Sequence, residues 1–416
     1  MTPPLAAASA DVVVVGAGQA GLAVAAHLAR SGFVPAQGGS GRRRAGGPPT
    51  YVVLDAAAGP GGAWRERWPG LTMRTVNGVY ELPGRPLPTF DADEPASRAL
   101  TRYFGSYERD LGLAVRRPVE VRRVRDIPGG LLAVETEETE AVPVAAPDPD
   151  DGLGGGAGAC RAEAASGRRR VARTWHARAL VNATGTWTRP FWPTYPGAAS
   201  FAGIQRHTHD YRSPEEFAGM RVLVVGGGIS AVQHLLAIHP VAASTTWVTR
   251  RPPDWRDDEF SPELGREAVA RVDERTRAGL PPQSIVAATG LPLTDVYRDG
   301  IARGVLRARP MFARLVPDGA EWDEAAARGP LADGWVTGPV HVEADAVLWA
   351  TGFRAALDHL RPLGLRGAGG GIVMDGTRVV ADPRVQLVGY GPSASTVGAN
   401  RAGRAAVRQV RRYLGV

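Results

Sequence analysis

Three glycines spaced to bring a backbone against phosphate stand near the start of the chain. Gly16-Ala-Gly18-Gln19-Ala-Gly21 follows the apolar run Asp11-Val-Val-Val-Val15 and opens a helically spaced stretch, Leu22 to Ala29. In a strand–turn–helix setting the first glycine permits the tight turn and the second lets the chain approach a pyrophosphate. The third lets helix and strand pack closely. The free N–H groups of the helix start then face the phosphates with a partial positive charge. Such a site also wants an acid about 20 residues on, to hold a ribose hydroxyl. Asp55 ends the apolar run Tyr51-Val-Val-Leu and lies 34 residues past Gly21. Setting aside the fifteen residues 35–49, a Gly/Arg/Pro-rich stretch that reads as a flexible insert, leaves 19. On this motif alone the ligand is FAD or NAD.

The same unit restarts at Gly226-Gly-Gly228-Ile229-Ser230-Ala231, after the strand-like Arg221-Val-Leu-Val-Val225. Alanine is an accepted variant of the last glycine. The following strand, Thr245 to Thr249, ends in Arg250-Arg251 rather than an acid. Arginines there pair with a 2′-phosphate, so this second site should prefer NADPH over NADH. The Ser230 hydroxyl either adds to a pyrophosphate site or simply caps the helix. Two dinucleotide sites in one chain imply one resident and one exchanging cofactor, with hydride passing between them.

Strands alternating with helices predict parallel, doubly wound sheets, an α/β fold with two Rossmann-like domains. Further strands are expected at Trp175 to Ala183, running into Ala183-Thr184-Gly185, and at Asp345 to Trp349, running into Ala350-Thr351-Gly352. A last strand falls at Val385 to Val388 and a last helix at Ala399 to Leu414. The expected division is a first domain of residues 8–195 and 340–416, with residues 196–339 inserted as the second. Residues 141–170 read as a second insert, a disordered loop between two strands. It contains Cys160, to which no chemistry is assigned.

The 416 residues carry a formal charge of +7 with no lysine, so the basic residues are all arginine. They are scattered rather than gathered with aromatics on one face, which argues against nucleic-acid binding. A positive surplus suits phosphate-bearing cofactors. The one cysteine rules out an internal disulfide framework, a CxxC redox pair and a cysteine zinc site. Met1 to Ala10 lacks the features of a secretory signal, and no apolar run reaches the ~18 residues of a membrane span. The expected compartment is therefore the cytoplasm, and a homodimer stays open as the assembly.

Several segments resemble flavin-containing monooxygenases. Gly61-Gly62-Ala-Trp64 is similar to the Gly-Gly-x-Trp segment that this group places beside FAD. Phe201-Ala-Gly203-Ile-Gln-Arg-His207-Thr-His-Asp-Tyr211 resembles the family fingerprint ahead of the second glycine motif. Tyr211 stands where the Baeyer–Villiger group usually has tryptophan. The two Ala-Thr-Gly segments also match. Trp64 to Pro88 is most similar to the plant auxin-forming and small bacterial members. The resemblance runs from about Asp11 to the C-terminus, apart from the two inserts.

The resemblance implies an FAD-containing, NADPH-dependent monooxygenase that inserts one oxygen of O2 into a small-molecule substrate through a C4a-hydroperoxyflavin. It brings Gly62, Trp64, Thr184, Thr351 and Gly352 to the cofactors. Gly391 and Asn400 join them if the last helix points at the flavin pyrimidine. The larger family has an asparagine near the flavin; the matching position here is Arg74, with Asn77 three residues later. Those two and His207 are the catalytic candidates, although a structural role for His207 is equally open. A disulfide reductase on the same fold needs two cysteines. An NADPH dehydrogenase, quinone reductase or oxidase remains the alternative enzyme, and a flavin-binding sensor the non-enzymatic one.

Overall fold

The continuous apolar runs become buried parallel strands. The computed structural model describes residues 7–37, 46–76, 78–141, 168–257, 262–282, 290–394 and 396–416. Asn77, Cys160 and most of both inserts lie outside the described residues. In the first sheet, β1 (Ala8–Val15) leads through the glycine turn into α1 (Gln19–Arg30), and β2 (Thr50–Leu54) pairs parallel with β1, Val15 opposite Leu54. Beyond β2 come α2 (Ala96–Asp110) and the antiparallel strands β3 (Val119–Ile127) and β4 (Leu131–Ala141).

The long strand β5 (Arg168–Asn182) belongs to two pairings at once. Its first part pairs antiparallel with β4, and its C-terminal half runs parallel to β1 with Asn182 opposite Val15. On its far side β5 takes the late strand Val385–Leu387, so the chain returns to this sheet near its end. Sequence reading saw only the second half of β5, from Trp175, because Arg168-Arg-Arg carries no apolar signal.

The second sheet is wholly parallel. Its strands are β6 (Ile204–His207), β7 (Arg221–Val225), β8 (Ser244–Thr249), β9 (Ala308–Pro310) and β10 (Ala346–Trp349), in the order β9-β8-β7-β10-β6. Between β7 and β8 lies α3 (Ile229–Ile238). β10 inserts between β7 and β6, so residues 346–349 pair within the second sheet. The register sets Trp349 opposite both Val225 and His207. A small antiparallel sheet, Arg314–Val316, Gly319–Glu321 and His341–Glu343, flanks this domain.

One helix of the second segment packs against the first domain. Helix α4 (Pro262–Arg277) comes from the second segment, yet Thr276 packs on Gly391 and the Gly279 carbonyl accepts from the Gly371 N–H at 2.9 Å. The closing helix α5 (Thr396–Leu414) lies against α1, close enough that a Cβ on Gly403 would sit 3.1 Å from Ala23. No helix among the described residues is long and apolar enough to cross a membrane.

Candidate functional site at the junction of the two domains

Ligands of open parallel sheets sit at the carboxyl ends of the strands. Those ends carry Gly16, Asp55 and Thr184 in the first domain, and Gly226, Arg250 and Thr351 in the second. At Gly16 φ is +96°, a left-handed value that favours glycine, and a Cβ would meet the Ala183 carbonyl oxygen at 2.7 Å. A Cβ on Gly21 would lie 1.9 Å from the Gly16 oxygen, so helix and turn are in contact. Gly18 precedes α1 with no side-chain cap, so the helix start turns its backbone N–H groups toward the glycine loop, where an anion would be favoured. Gly62 packs on Gly18, and the short turn Gly62–Trp64 closes over the glycine loop. This cradle fits a pyrophosphate and the groups beside it.

Asp55 is buried at the end of β2. Its Oδ2 accepts from Arg117 Nε at 2.5 Å, while the Arg117 fork grips Glu108 at 2.6 and 2.7 Å. A carboxylate held this way is oriented, and its second oxygen is available for a ribose hydroxyl. Gln19 reaches across the cradle, its Nε2 donating to the Tyr80 carbonyl at 2.9 Å.

The second cradle repeats the first. Gly226 has φ +148°, and a Cβ there would sit 2.2 Å from the Ala350 oxygen. Gly228 caps α3 with backbone only, followed by Ile229 and Ser230 at the open helix start. Arg250 and Arg251 are exposed just past β8 and have no acidic partner among the described residues. Ile229, Ser230 and Gln233 face Trp64, Arg67, Trp68, Leu71 and Val76 of the first domain across a cavity of about 170 Å³. The two cradles therefore open toward one junction.

The linkers between the domains are laced to each other. The Thr351 hydroxyl donates to the Phe191 carbonyl at 2.5 Å, and the Phe191 N–H donates to the Gly352 carbonyl at 2.9 Å. The Thr184 hydroxyl donates to the Ala356 carbonyl at 2.7 Å and accepts from Asn182 Nδ2. Both threonine hydroxyls, expected at the cofactors, are thus committed to the hinge.

His207 is fully buried beside it. A carbonyl oxygen can only accept, so Nε2 carries the proton and donates to Gly352 O at 3.1 Å; Nδ1 accepts from the His209 N–H at 3.0 Å. Burial lowers its pKa to about 4, so the ring is neutral near pH 7. Both of its nitrogens are occupied by backbone groups, Gly352 O and the His209 N–H, so its contacts in the fold are structural.

Two further candidates have their side chains engaged with protein partners. Arg74 is exposed and forks onto Asp93 at 3.0 to 3.2 Å. The Asn400 side chain pairs with His27 on α1 at 3.1 Å, because α5 packs along α1. Gly391, at φ +57°, lies under Thr276 of α4.

Sequence reading missed the aromatic lining. Trp68 and Tyr211 meet edge to face at 5.6 Å, and His234 packs on both. Burial lowers the His234 pKa to about 3, and its Nε2 meets the Thr208 hydroxyl. Trp187 stacks on Phe353 at 4.8 Å. Their only early signal was the tryptophan density of 64–68 and 187–192. The packing behind the junction is aromatic, and burial keeps His207 and His234 neutral near pH 7.

A family model described as pyridine nucleotide-disulphide oxidoreductase matches residues 170–288. Along nearly its whole length the chain is similar to a flavin-containing monooxygenase from Stenotrophomonas maltophilia. The two are 34% identical with a TM-score of 0.70, over 98% of this chain and 99% of that one. It is also similar to indole-3-pyruvate monooxygenase YUCCA1 of Oryza sativa subsp. japonica, 32% identical over 239 residues, 57% of this chain and 47% of the rice protein. The chain thus spans about half the length of the curated relatives it matches. A bacillithiol disulfide reductase of Bacillus cereus, 15% identical with a TM-score of 0.62 over 97% of this chain and 99% of that one, shares the fold alone. Identity of 34% across 99% of the Stenotrophomonas protein places this chain in the flavin-containing monooxygenase family, whose members use FAD and NADPH.

Proposed function

We propose that the chain is an FAD-containing, NADPH-dependent monooxygenase acting on a small-molecule substrate. FAD lies in the cradle of Gly16, Gly18, Gly21 and Gly62, with Asp55 on its ribose. NADPH lies against Gly226, Gly228 and Ser230, with Arg250 and Arg251 on its 2′-phosphate. Bound FAD supplies the redox and oxygen chemistry. The overall reaction takes NADPH, a proton, O2 and substrate to NADP⁺, water and the substrate carrying one oxygen.

The observation that supports this reading is the pair of uncapped glycine turns opening on one junction lined by Trp64, Trp68 and Ile229. The residues around it orient and exclude water: Gln233 Nε2 ties α3 to the Thr75 carbonyl at 3.0 Å, across the domain boundary. His207 and the two threonines hold the hinge. Burial keeps His207 and His234 neutral near pH 7, so neither serves as an acid there.

Oxygen-18 accounting tests the proposal. Purified protein loaded with FAD is given NADPH and ¹⁸O2 with panels of amines, sulfides, ketones and 2-oxo acids. A labelled product formed with equimolar NADPH supports it. NADPH consumption that yields only labelled hydrogen peroxide with every panel member overturns it in favour of an oxidase.

A further inference from the structure

The segment 332–340, which leads toward β10, closes on the end of β8. It turns at Gly334, where φ is +94°, and Trp335 then lies parallel to Ala308 of β9. The Val336 N–H donates to the Ala308 carbonyl at 2.8 Å, so the segment is added to the open edge of the second sheet. From there the Trp335 Nε1 donates to the Thr249 hydroxyl at 2.8 Å. Thr249 is fully buried, ends β8 and stands immediately before Arg250. On the other side of the arginine pair, a Cβ on Gly334 would lie 3.3 Å from Pro252. One segment therefore touches the chain directly before Arg250 and directly after Arg251.

The segment is itself anchored. Arg309 of β9 donates from Nη2 to the Pro339 carbonyl at 2.7 Å while its guanidinium lies 3.9 Å over the Trp322 ring. The Gly338 N–H donates to the Ala327 carbonyl at 2.9 Å. The brace thus runs from a fixed edge to the strand end where a dinucleotide's ribose sits. Thr249 also borders the second glycine turn, since a Cβ on Gly227 would lie 3.9 Å from its methyl group. The Arg250 and Arg251 side chains are exposed. Long exposed arginines lose rotamer entropy when they grip an anion, so the backbone that aims them decides how well a fork forms.

We propose that Trp335 is a positioning residue for the nucleotide 2′-phosphate. Its bond to Thr249, with the closure of Gly334 on Pro252, holds the Arg250–Arg251 turn in the shape that grips NADPH and so sets the preference over NADH. This rests on the reading that Arg250 and Arg251 hold that phosphate. NAD⁺ has no 2′-phosphate, so its binding is indifferent to how the arginines are aimed, and the two nucleotides separate a positioning role from a general structural one.

The test is calorimetric titration of the FAD-loaded protein with NADP⁺ and with NAD⁺, read as the ratio of their dissociation constants. In the parent NADP⁺ is expected to bind about tenfold or more tighter, as charge-assisted contacts to the phosphate would give. Trp335→Phe keeps a ring and removes the N–H. It should weaken NADP⁺ about three- to tenfold, the worth of one neutral hydrogen bond, and leave NAD⁺ within about twofold. Thr249→Val removes the same bond from its other end and should do the same, while Thr249→Ser keeps the hydroxyl and should keep the parent ratio. The double variant Trp335→Phe/Thr249→Val should fall no further than either single one, because both delete one contact. The threonine variants carry the test if Trp335→Phe does not fold. A parent that prefers NADP⁺, with Trp335→Phe and Thr249→Val keeping that ratio, overturns the inference and leaves the arginine assignment intact. So does a loss shared equally by NADP⁺ and NAD⁺, since the contact would then only support the glycine turn. A parent that binds both nucleotides equally overturns the inference together with the 2′-phosphate assignment, while labelled product in the oxygen-18 experiment would still uphold the monooxygenase reading.

Discussion

Replacing His207 with phenylalanine keeps a ring of similar size and removes both of its backbone contacts. The Gly352 carbonyl retains the Phe191 N–H, so it loses a second bond, about 1 kcal/mol. The His209 N–H loses its acceptor, about 1–3 kcal/mol if it stays dry. The sum is about 2–4 kcal/mol near neutral pH. Acid should shrink that difference. Burial lowers the folded-state pKa to about 4, below the ordinary histidine value of 6.5. Between those values the unfolded chain binds a proton at this position that the folded one does not. The parent therefore loses stability as pH falls through that window, about 2 kcal/mol by pH ~5, whereas the phenylalanine variant has no such term. Urea unfolding at neutral pH and at pH ~5 measures the gap at each. Because His207 is neutral and doubly bonded, the shape of the kcat/KM pH profile should survive the change. A variant as stable as its parent that loses an acidic limb of that profile would refute the positioning role.

Gly226→Ala introduces a Cβ that has no room against the Ala350 oxygen and a φ strained by about 1–3 kcal/mol; NADP⁺ binding should fall while FAD content holds, read by titration and absorbance. Replacing Arg250 and Arg251 by alanine should raise the NADPH KM about 10- to 100-fold per arginine and leave the NADH KM nearly unchanged, measured by steady-state kinetics. Asp55→Asn should lower FAD occupancy and cost about 1.5–3 kcal/mol in stability, at the lower end because Glu108 still holds Arg117. Asn400→Ala should cost about 1 kcal/mol through His27 and leave the rate of flavin reduction by NADPH unaltered in stopped-flow, since its side chain faces α1.

The cradles were legible because their signal is local. Each lies within a strand, a turn and one helix start, and the glycines are required by contacts with neighbouring segments that any such fold makes. Asp55 was found by spacing once the insert was removed, but its partner Arg117 lies 62 residues on and carries no motif. The hinge was half legible. The Ala-Thr-Gly segments identify strand ends, yet that their hydroxyls bind each other's linkers depends on β10 threading between β6 and β7. That same threading puts residues 346–349 in the second sheet. The Asn400 contact with His27 was not legible, because the motif speaks only of the helix start, whereas the side-chain direction is set by how α5 crosses α1. Arg67 gave no early signal: one arginine in Trp64-Arg-Glu-Arg67-Trp68 is exposed at the surface and the other is held among indoles, and sequence does not distinguish them.

The relay between the two sites is tested most directly by mixing the FAD-loaded protein with NADPH in the absence of oxygen and following the flavin colour. The account predicts rapid bleaching by NADPH and much slower bleaching by NADH at the same concentration. A flavin that stays yellow with saturating NADPH would contradict it.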